Sequence, residues 1–139
     1  MFTRPIIAAF LLCLVAGPAF SQAAPAKASQ VTAVTPTPDD RAREWLVLVD
    51  DKNYPQSWSQ AAKVFQGRQK ADVWAKDADT LRTPLGAVAS RGLKSIDLSR
   101  NNVAVIRYDT AFAHKAAAVE TVTLAFENGA WAVSDYSVN

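Results

Sequence analysis

The sequence predicts an α+β domain in which three N-terminal helices pack on a four-stranded antiparallel sheet. Three observations predict it. Between Ala42 and Leu85 the apolar residues recur at intervals of three and four, the stripe of an amphipathic helix. After Gly86 the period drops to two, the mark of a half-buried strand. The alternating runs are broken at Arg100-Asn101-Asn102 and Asn128-Gly129, and Asn-Gly is a strong two-residue hairpin turn. Helices followed by hairpin-linked strands make an α+β domain, with the helices on one face of the sheet.

The chain has 139 residues, enough for one domain and a leader. Arg4 followed by the apolar run Ile6 to Val15 and then Gly17-Pro18 reads as a secretory signal peptide over residues 1–21. Ala19-Phe20-Ser21 and Ser21-Gln22-Ala23 both offer small residues for cleavage, between Ser21 and Ala23. The apolar run is far shorter than the ~20 residues of a spanning helix. The expected destination is outside the cytoplasm, in a bacterial periplasm, with no membrane attachment after cleavage. Cys13 lies within the leader and follows Leu12, which is not the small residue a lipoprotein signal requires. The mature chain is then cysteine-free, with no disulfide, thiol nucleophile or cysteine-based zinc site. Residues 22–38 are Ala, Pro, Ser, Thr and Gln with little to bury, and read as a disordered linker. The folded domain is expected over 39–139.

Thr37-Pro38-Asp39-Asp40 is a helix start, with a capping hydroxyl, a proline at the first helical position and two acids at the positive end of the dipole. Ala42, Trp45, Leu46 and Val49 give the first helix its stripe. A second helix is expected from Tyr54 to Gly67 on Trp58, Ala61, Ala62 and Phe65, and a third from Lys70 to Arg82 on Trp74, Ala78, Leu81 and Leu85. Aromatic residues at this spacing read as core. The strands are expected over Val88–Leu98, with Gly92 as a bulge, then Val103–Ala113, Val119–Phe126 and Trp131–Val138.

Composition excludes several activities. Without Arg4 the mature chain has 14 basic against 13 acidic residues, and no basic tract, so nucleic acid is not an expected partner. One histidine and no mature cysteine leave no transition-metal site of ordinary ligand count. There is no Gly-rich phosphate loop and no G-x-S-x-G elbow. No cofactor is expected.

Three segments carry a family likeness: Arg43-Glu44-Trp45-Leu46 with Val49-Asp50; Arg82-Thr83-Pro84-Leu85-Gly86 with Ser90-Arg91; and Phe112 to Leu124 with Lys115, Ala116 and Glu120-Thr121-Val122. Together they resemble the bacterial secreted family known as domain of unknown function 4019, across essentially the whole folded region. The resemblance carries no catalytic residue. By element order the layout is also similar to the nuclear-transport-factor-2-like cone fold, which implies a curved, cone-like sheet wrapped around the helices.

The candidate catalytic residues are Glu120 and His114. By alternation Glu120 shares the face of Val122 and Leu124, and His114 continues the face of Ala104 to Phe112. If Lys115–Val119 forms the loop, the two face each other as a His–carboxylate pair fit for acid–base work. The plainer reading is favoured: one pair without a nucleophile or third group pins a hairpin. Arg91, Lys94, Arg107 and Lys115 are candidate ligand-binding residues, a cationic group fit for a carboxylate or phosphate; as solvated residues they would instead partner Asp97, Asp109 or Glu120. The expected function is a non-catalytic binding or interaction module for a protein partner or a small apolar ligand. The alternative is a cone-fold isomerase- or hydratase-like enzyme using Glu120 or His114.

Overall fold

The first helix, α1 (Pro38–Asp50), begins where a capping box can form. The Thr37 hydroxyl accepts from the Asp40 N–H, and the Asp40 carboxylate accepts from the Thr37 N–H at 2.9 Å. Hydrogen bonds from Thr37 hold the Asp40 carboxyl below the usual carboxylate range. A computed structural model describes residues 34–139. The expected signal peptide at 1–21, Cys13 within it, and residues 22–33 of the expected linker lie outside the described residues.

The second helical stripe divides in two, so the described residues hold four helices rather than three: α2 (Tyr54–Ser59), α3 (Lys63–Arg68) and α4 (Ala71–Arg82) follow α1. The break is an anchoring point. Ala62 turns extended, and its N–H donates to the Val133 carbonyl of the last strand at 2.8 Å. The carbonyls freed at the break are taken up by Gln66, whose amide nitrogen lies within 3.1 Å of the Trp58, Ser59 and Ala61 oxygens. A helix end needs such acceptors satisfied, and periodicity alone does not register a three-residue interruption.

The strands are β1 (Val88–Arg100), β2 (Val103–Phe112), β3 (Lys115–Glu127) and β4 (Ala130–Val138), an antiparallel meander in the order β1-β2-β3-β4. Asn128 and Gly129 both have positive φ, as a tight primed turn requires. β1 is irregular where its pairing shifts beside Ala89, Lys94 and Leu98, whereas Gly92 pairs regularly with Asp109. β3 begins at Lys115, opposite Phe112. The β2–β3 connection is therefore the two residues Ala113 and His114, not the loop expected over Lys115–Val119.

Helix α1 packs across β2, β3 and β4, and α2 against α4. Between them lies an aromatic core. The Trp45 ring is 5.7 Å from Trp74, 6.4 Å from Phe65 and 5.4 Å from Tyr136, centre to centre, distances at which aromatic pairs add to simple burial. Buried Ser57 ties the rings down: its carbonyl accepts from the Trp45 indole and its hydroxyl from the Trp74 indole. Strand β1 lies beyond the strip α1 covers, and its Leu93 and Ile96, opposite Tyr108 and Ile106, are exposed.

Removing the Thr37 hydroxyl unpairs one end of the capping box. Thr37→Ala is expected to lower the unfolding free energy by about 1 kcal/mol, read as a shift in the urea midpoint followed by tryptophan fluorescence. An unchanged midpoint would mean the box contributes nothing.

Candidate functional site

Glu120 is completely buried on β3. In the sheet it lies opposite Tyr108 and Val138, so Thr110 and Tyr136 are its diagonal neighbours on the same face. Both bind it: Thr110 Oγ1 donates to Oε2 and Tyr136 Oη to Oε1, each at 2.7 Å. Arg91 of β1 donates through Nε to Oε2 at 2.6 Å and through Nη2 to Oε1 at 3.2 Å. Arg82, the last residue of α4, donates through Nη1 to Oε1 at 3.1 Å. Five hydrogen bonds thus converge on one carboxylate.

A second carboxylate completes the cluster. Asp50 is the last residue of α1. Its Oδ1 accepts from Arg82 Nη2 at 2.5 Å and from Arg91 Nη2 at 3.0 Å, and its Oδ2 from Arg91 Nη1 at 2.8 Å. The four charges alternate and sum to zero. Burial opposes the charge on Arg91, but hydrogen bonds to Asp50 and Glu120 more than offset it and its pKa stands raised. Burial likewise opposes Arg82, whose pKa is held up by Tyr136 and Asp50. The Arg82 guanidinium also sits over the Phe112 ring, 4.9 Å from its centre, a cation–π distance.

The sequence-derived candidates separate. Glu120 and Arg91 meet within the cluster. His114 lies in the β2–β3 turn, exposed and six residues from Glu120 along the chain. Glu120 is opposite Tyr108 instead, so the expected facing pair does not form, because the turn is two residues long. His114 rests on the α4–β1 loop: its N–H donates to the Leu85 carbonyl at 2.9 Å. Gly86, at φ +77°, leaves room for it, since a Cβ there would stand 3.1 Å from His114 Nδ1 and 3.0 Å from Ala113 Cβ. Lys94 pairs with Asp109 at 2.7 Å on an exposed surface, worth little to stability. Arg107 is exposed; its charge reaches Asp97, whose carboxyl pKa is lowered by hydrogen bonds from Ser99 and, to a smaller degree, by Arg107. Lys115 opens β3 opposite Phe112, five residues before Glu120 along the strand. Arg91, Lys94, Arg107 and Lys115 therefore do not form one cationic group.

Asp50, Arg82, Thr110, Tyr136 and Tyr54 belong to no motif that marks them as site residues. A signal existed for two of them. Asp50 stands four residues after Leu46, and Arg82 four after Ala78. Both are charges on the apolar stripe of a helix, and such a charge requires a partner.

Beside the cluster is a cleft of about 600 Å³. Val49, Ala87 and Val88 give it apolar walls, Asp50, Tyr54 and Arg82 polar ones, and Lys52 stands at its lining. Two buried polar atoms find no partner among the described residues, Tyr54 Oη and Arg82 Nε, and both belong to residues that line this cleft. Burial pushes the Tyr54 hydroxyl pKa up, assisted by Asp79 and opposed by Arg82, so it stays protonated at neutral pH.

A model of the family described as "Protein of unknown function (DUF4019)" matches residues 41–136. The chain belongs to that family. All four charged residues of the cluster fall inside the matched span. Comparison with curated proteins returns no match. Among solved structures the chain is similar to a candidate NTF2-like transpeptidase from Campylobacter jejuni, at 18% identity and a TM-score of 0.49, over 70% of this chain and 97% of that one.

The charge balance of the cluster can be tested by removing its members singly and together. Loss of Glu120 alone leaves two buried guanidinium groups to share the single carboxylate of Asp50, and breaking a buried pair in this way typically costs about 3–5 kcal/mol. Removing Arg91 with it leaves the neutral pair Arg82–Asp50. A urea double-mutant cycle on Glu120→Met and Arg91→Met is therefore expected to show the double variant more stable than the sum of the single losses; simple additivity would disprove the coupling. A second prediction concerns alkali. Burial first and Glu120 second raise the Tyr136 pKa above its ordinary 10.0. Below that value the hydroxyl is protonated in both folded and unfolded chains and its stabilisation is complete. Above it the unfolded chain ionises first, so stability falls with rising pH. Tyr136→Phe starts from a lower stability and should lose less of it between about pH 9 and 11, by urea midpoints.

Proposed function

We propose that the domain is a non-catalytic binding module of the bacterial cell exterior that holds a small molecule in the cleft at the ends of α1 and α4. The observation that carries the reading is the pair of buried, unpartnered polar atoms, Tyr54 Oη and Arg82 Nε, on residues lining one cleft. Buried polar groups in folded proteins nearly always have partners, and the residues that hold the two exceptions both line this cleft. Clefts of about 550 and 450 Å³ elsewhere on the domain are lined by other residues, none of which carries such an atom among those described. The volume suits a small organic ligand. Placement outside the cytoplasm rests on the leader read at Arg4 to Ala23.

The chemistry of Glu120 supports binding over catalysis. A general base needs an oxygen free to reach a substrate proton, whereas both Glu120 oxygens are occupied by donors and the side chain has no exposure. His114 has no carboxylate across from it in the sheet register. The rings of Trp45, Phe65, Trp74 and Tyr136 occupy the space between the helices and the sheet. A ligand in the middle of the fold would have to displace them, which favours the cleft beside the cluster over a central apolar cavity.

The test is recovery of a bound metabolite. Protein purified from the native periplasm is expected to carry a discrete small molecule detectable by mass spectrometry. Val88→Trp, which fills the cleft from its wall, is expected to reduce that recovery at least about tenfold while leaving the thermal midpoint near that of the parent; in affinity terms that is about 1.4 kcal/mol. Equal recovery by the variant, or no molecule from either, would reject the cleft as a ligand site.

A further inference from the structure

We infer that a second cleft, between α1 and the free edge of β4, receives an extended peptide segment of a partner protein. The segment adds to the sheet at Trp131 as a short fifth strand and inserts one neutral apolar side chain. This surface shares no lining residue with the small-molecule cleft and stands or falls without it.

The hydrogen-bonding pattern of β4 decides where its edge is open. β4 pairs only with β3, so one of its sides has no strand neighbour. The Val133 carbonyl points to that side, since it accepts from the Ala62 N–H. In an antiparallel strand, residues two apart send both backbone groups the same way, so Trp131 also presents its N–H and C=O outward. Two further observations agree. Phe126, opposite Trp131, donates its N–H to the Asn102 carbonyl, away from β4. Glu127 and Ala130 flank the two-residue Asn128-Gly129 turn and so form a hydrogen-bonded pair, a pattern that Ala125 and Ala132 repeat. The turn ends the edge on one side and Ala62 occupies it at Val133. Trp131 is left with an open donor and an open acceptor.

The cleft follows this edge. It holds about 550 Å³ and is lined by four consecutive residues, Ala130 to Val133. Successive strand side chains point to opposite faces, so a cleft that touches all four runs along the edge rather than over one face. Leu48 and Trp45 of α1 line it too, and the Trp131 ring, 5.1 Å from that of Phe126, lies on the inner face. An extended peptide offers the acceptor and donor that one edge residue requires. A residue opposite Trp131 would make both bonds and turn its side chain to the inner face, toward α1. The rim sets the character of that side chain. Arg41 and Glu44 pair at 2.9 Å and cancel, so a charge gains nothing there and apolar area does. A second copy of β4 is a poor occupant, because its own Ala62 would stand against the edge. Strand β1, the other edge of the sheet, carries three register shifts, which blunt pairing.

The test titrates capped peptides, Ac-Thr-Thr-X-Thr-Thr-NH₂ with X as Ala, Val, Leu, Phe or Trp, into the ¹⁵N-labelled protein. Without peptide, the Trp131 amide is expected to exchange with water much faster than those of Ala130 and Ala132, which lie within the ladder. At least one peptide with a large X is expected to move the Trp131 amide signal and slow its exchange, and the Ala peptide to bind at least about tenfold more weakly. N-methylation of X removes the donor and is expected to weaken that peptide about tenfold. Leu48→Lys, with its fold verified by circular dichroism, is expected to weaken it by about the same factor, through a charge placed in the apolar wall. Slow exchange of Trp131 in the free protein, or a panel in which no peptide moves its signal, would overturn the inference. Affinity unchanged by N-methylation would rule out strand addition, and affinity unchanged in Leu48→Lys would rule out the cleft. A Trp131 signal that shifts with protein concentration alone would assign the edge to a second copy and reject the peptide.

Discussion

The carboxylate of Glu120 governs the arrangement of this domain, because it is an ion with no access to water. Taking a carboxylate out of water costs several kcal/mol unless donors replace the lost hydration. Here the donors come from four separate elements: Arg82 from α4, Arg91 from β1, Thr110 from β2 and Tyr136 from β4. Every one of those elements must stand in its observed place for the charge to be tolerated. The cluster therefore acts less as a source of net stability than as a constraint on position. A well-packed apolar substitute can match the stability of such a group, but would not require an arginine from the end of α4 to meet one from the edge strand.

Asp50 shows the same constraint from the opposite end. A carboxylate at the last position of a helix faces the negative end of the dipole, a placement that costs a few tenths of a kcal/mol to about 1 kcal/mol on an exposed helix. No basic residue in the last turn of α1 relieves it. Arg82 and Arg91 do so across space. Arg82 is itself the last residue of α4, where a cation is favoured. The ends of α1 and α4 thus carry complementary charges, and the pairing with Arg91 draws both helix ends to the β1 side of the sheet.

Much of the fold is legible in the sequence because it follows from local periodicity. The first helix with its cap, the four strands and the Asn128-Gly129 turn all rest on patterns a few residues long, and β-alternation places Glu120 on the face of Val122 and Leu124. The break between α2 and α3 is not legible, since Ala61, Ala62 and Phe65 continue the helical spacing across it. What interrupts the helix is a hydrogen bond from Ala62 to Val133, far away in sequence. The β2–β3 loop is hard to place for a related reason: Lys115 to Val119 shows little alternation, and only pairing with β2 decides that it is strand. Of the candidate site residues, parity locates Glu120 but cannot name its partners. Composition groups Arg91 with Lys94 and Arg107 as one cationic set, but Lys94 is three residues from Arg91 and Arg107 three from Thr110, the partner of Arg91, so alternation turns both to the opposite face. Asp50 and Arg82 read as helix ends, although their positions on apolar stripes mark them as charges in need of partners.

The cluster and the cleft are joined through one residue. Arg82 commits Nη1 and Nη2 inside the cluster, and its side chain also lines the cleft. The bonds that neutralise Glu120 and Asp50 are therefore the same bonds that hold this wall of the cleft in place. A free arginine side chain would lose about 2 kcal/mol of rotamer freedom on being fixed by a ligand; this one has already lost it to the fold. A ligand held there, as proposed, would meet a wall whose ordering cost was met during folding, which is the general advantage of a preorganised site. Rigidity in the core and the shape of this cleft wall are, in this domain, consequences of one set of hydrogen bonds, which is why the charged cluster cannot be exchanged for an apolar one without also changing the cleft.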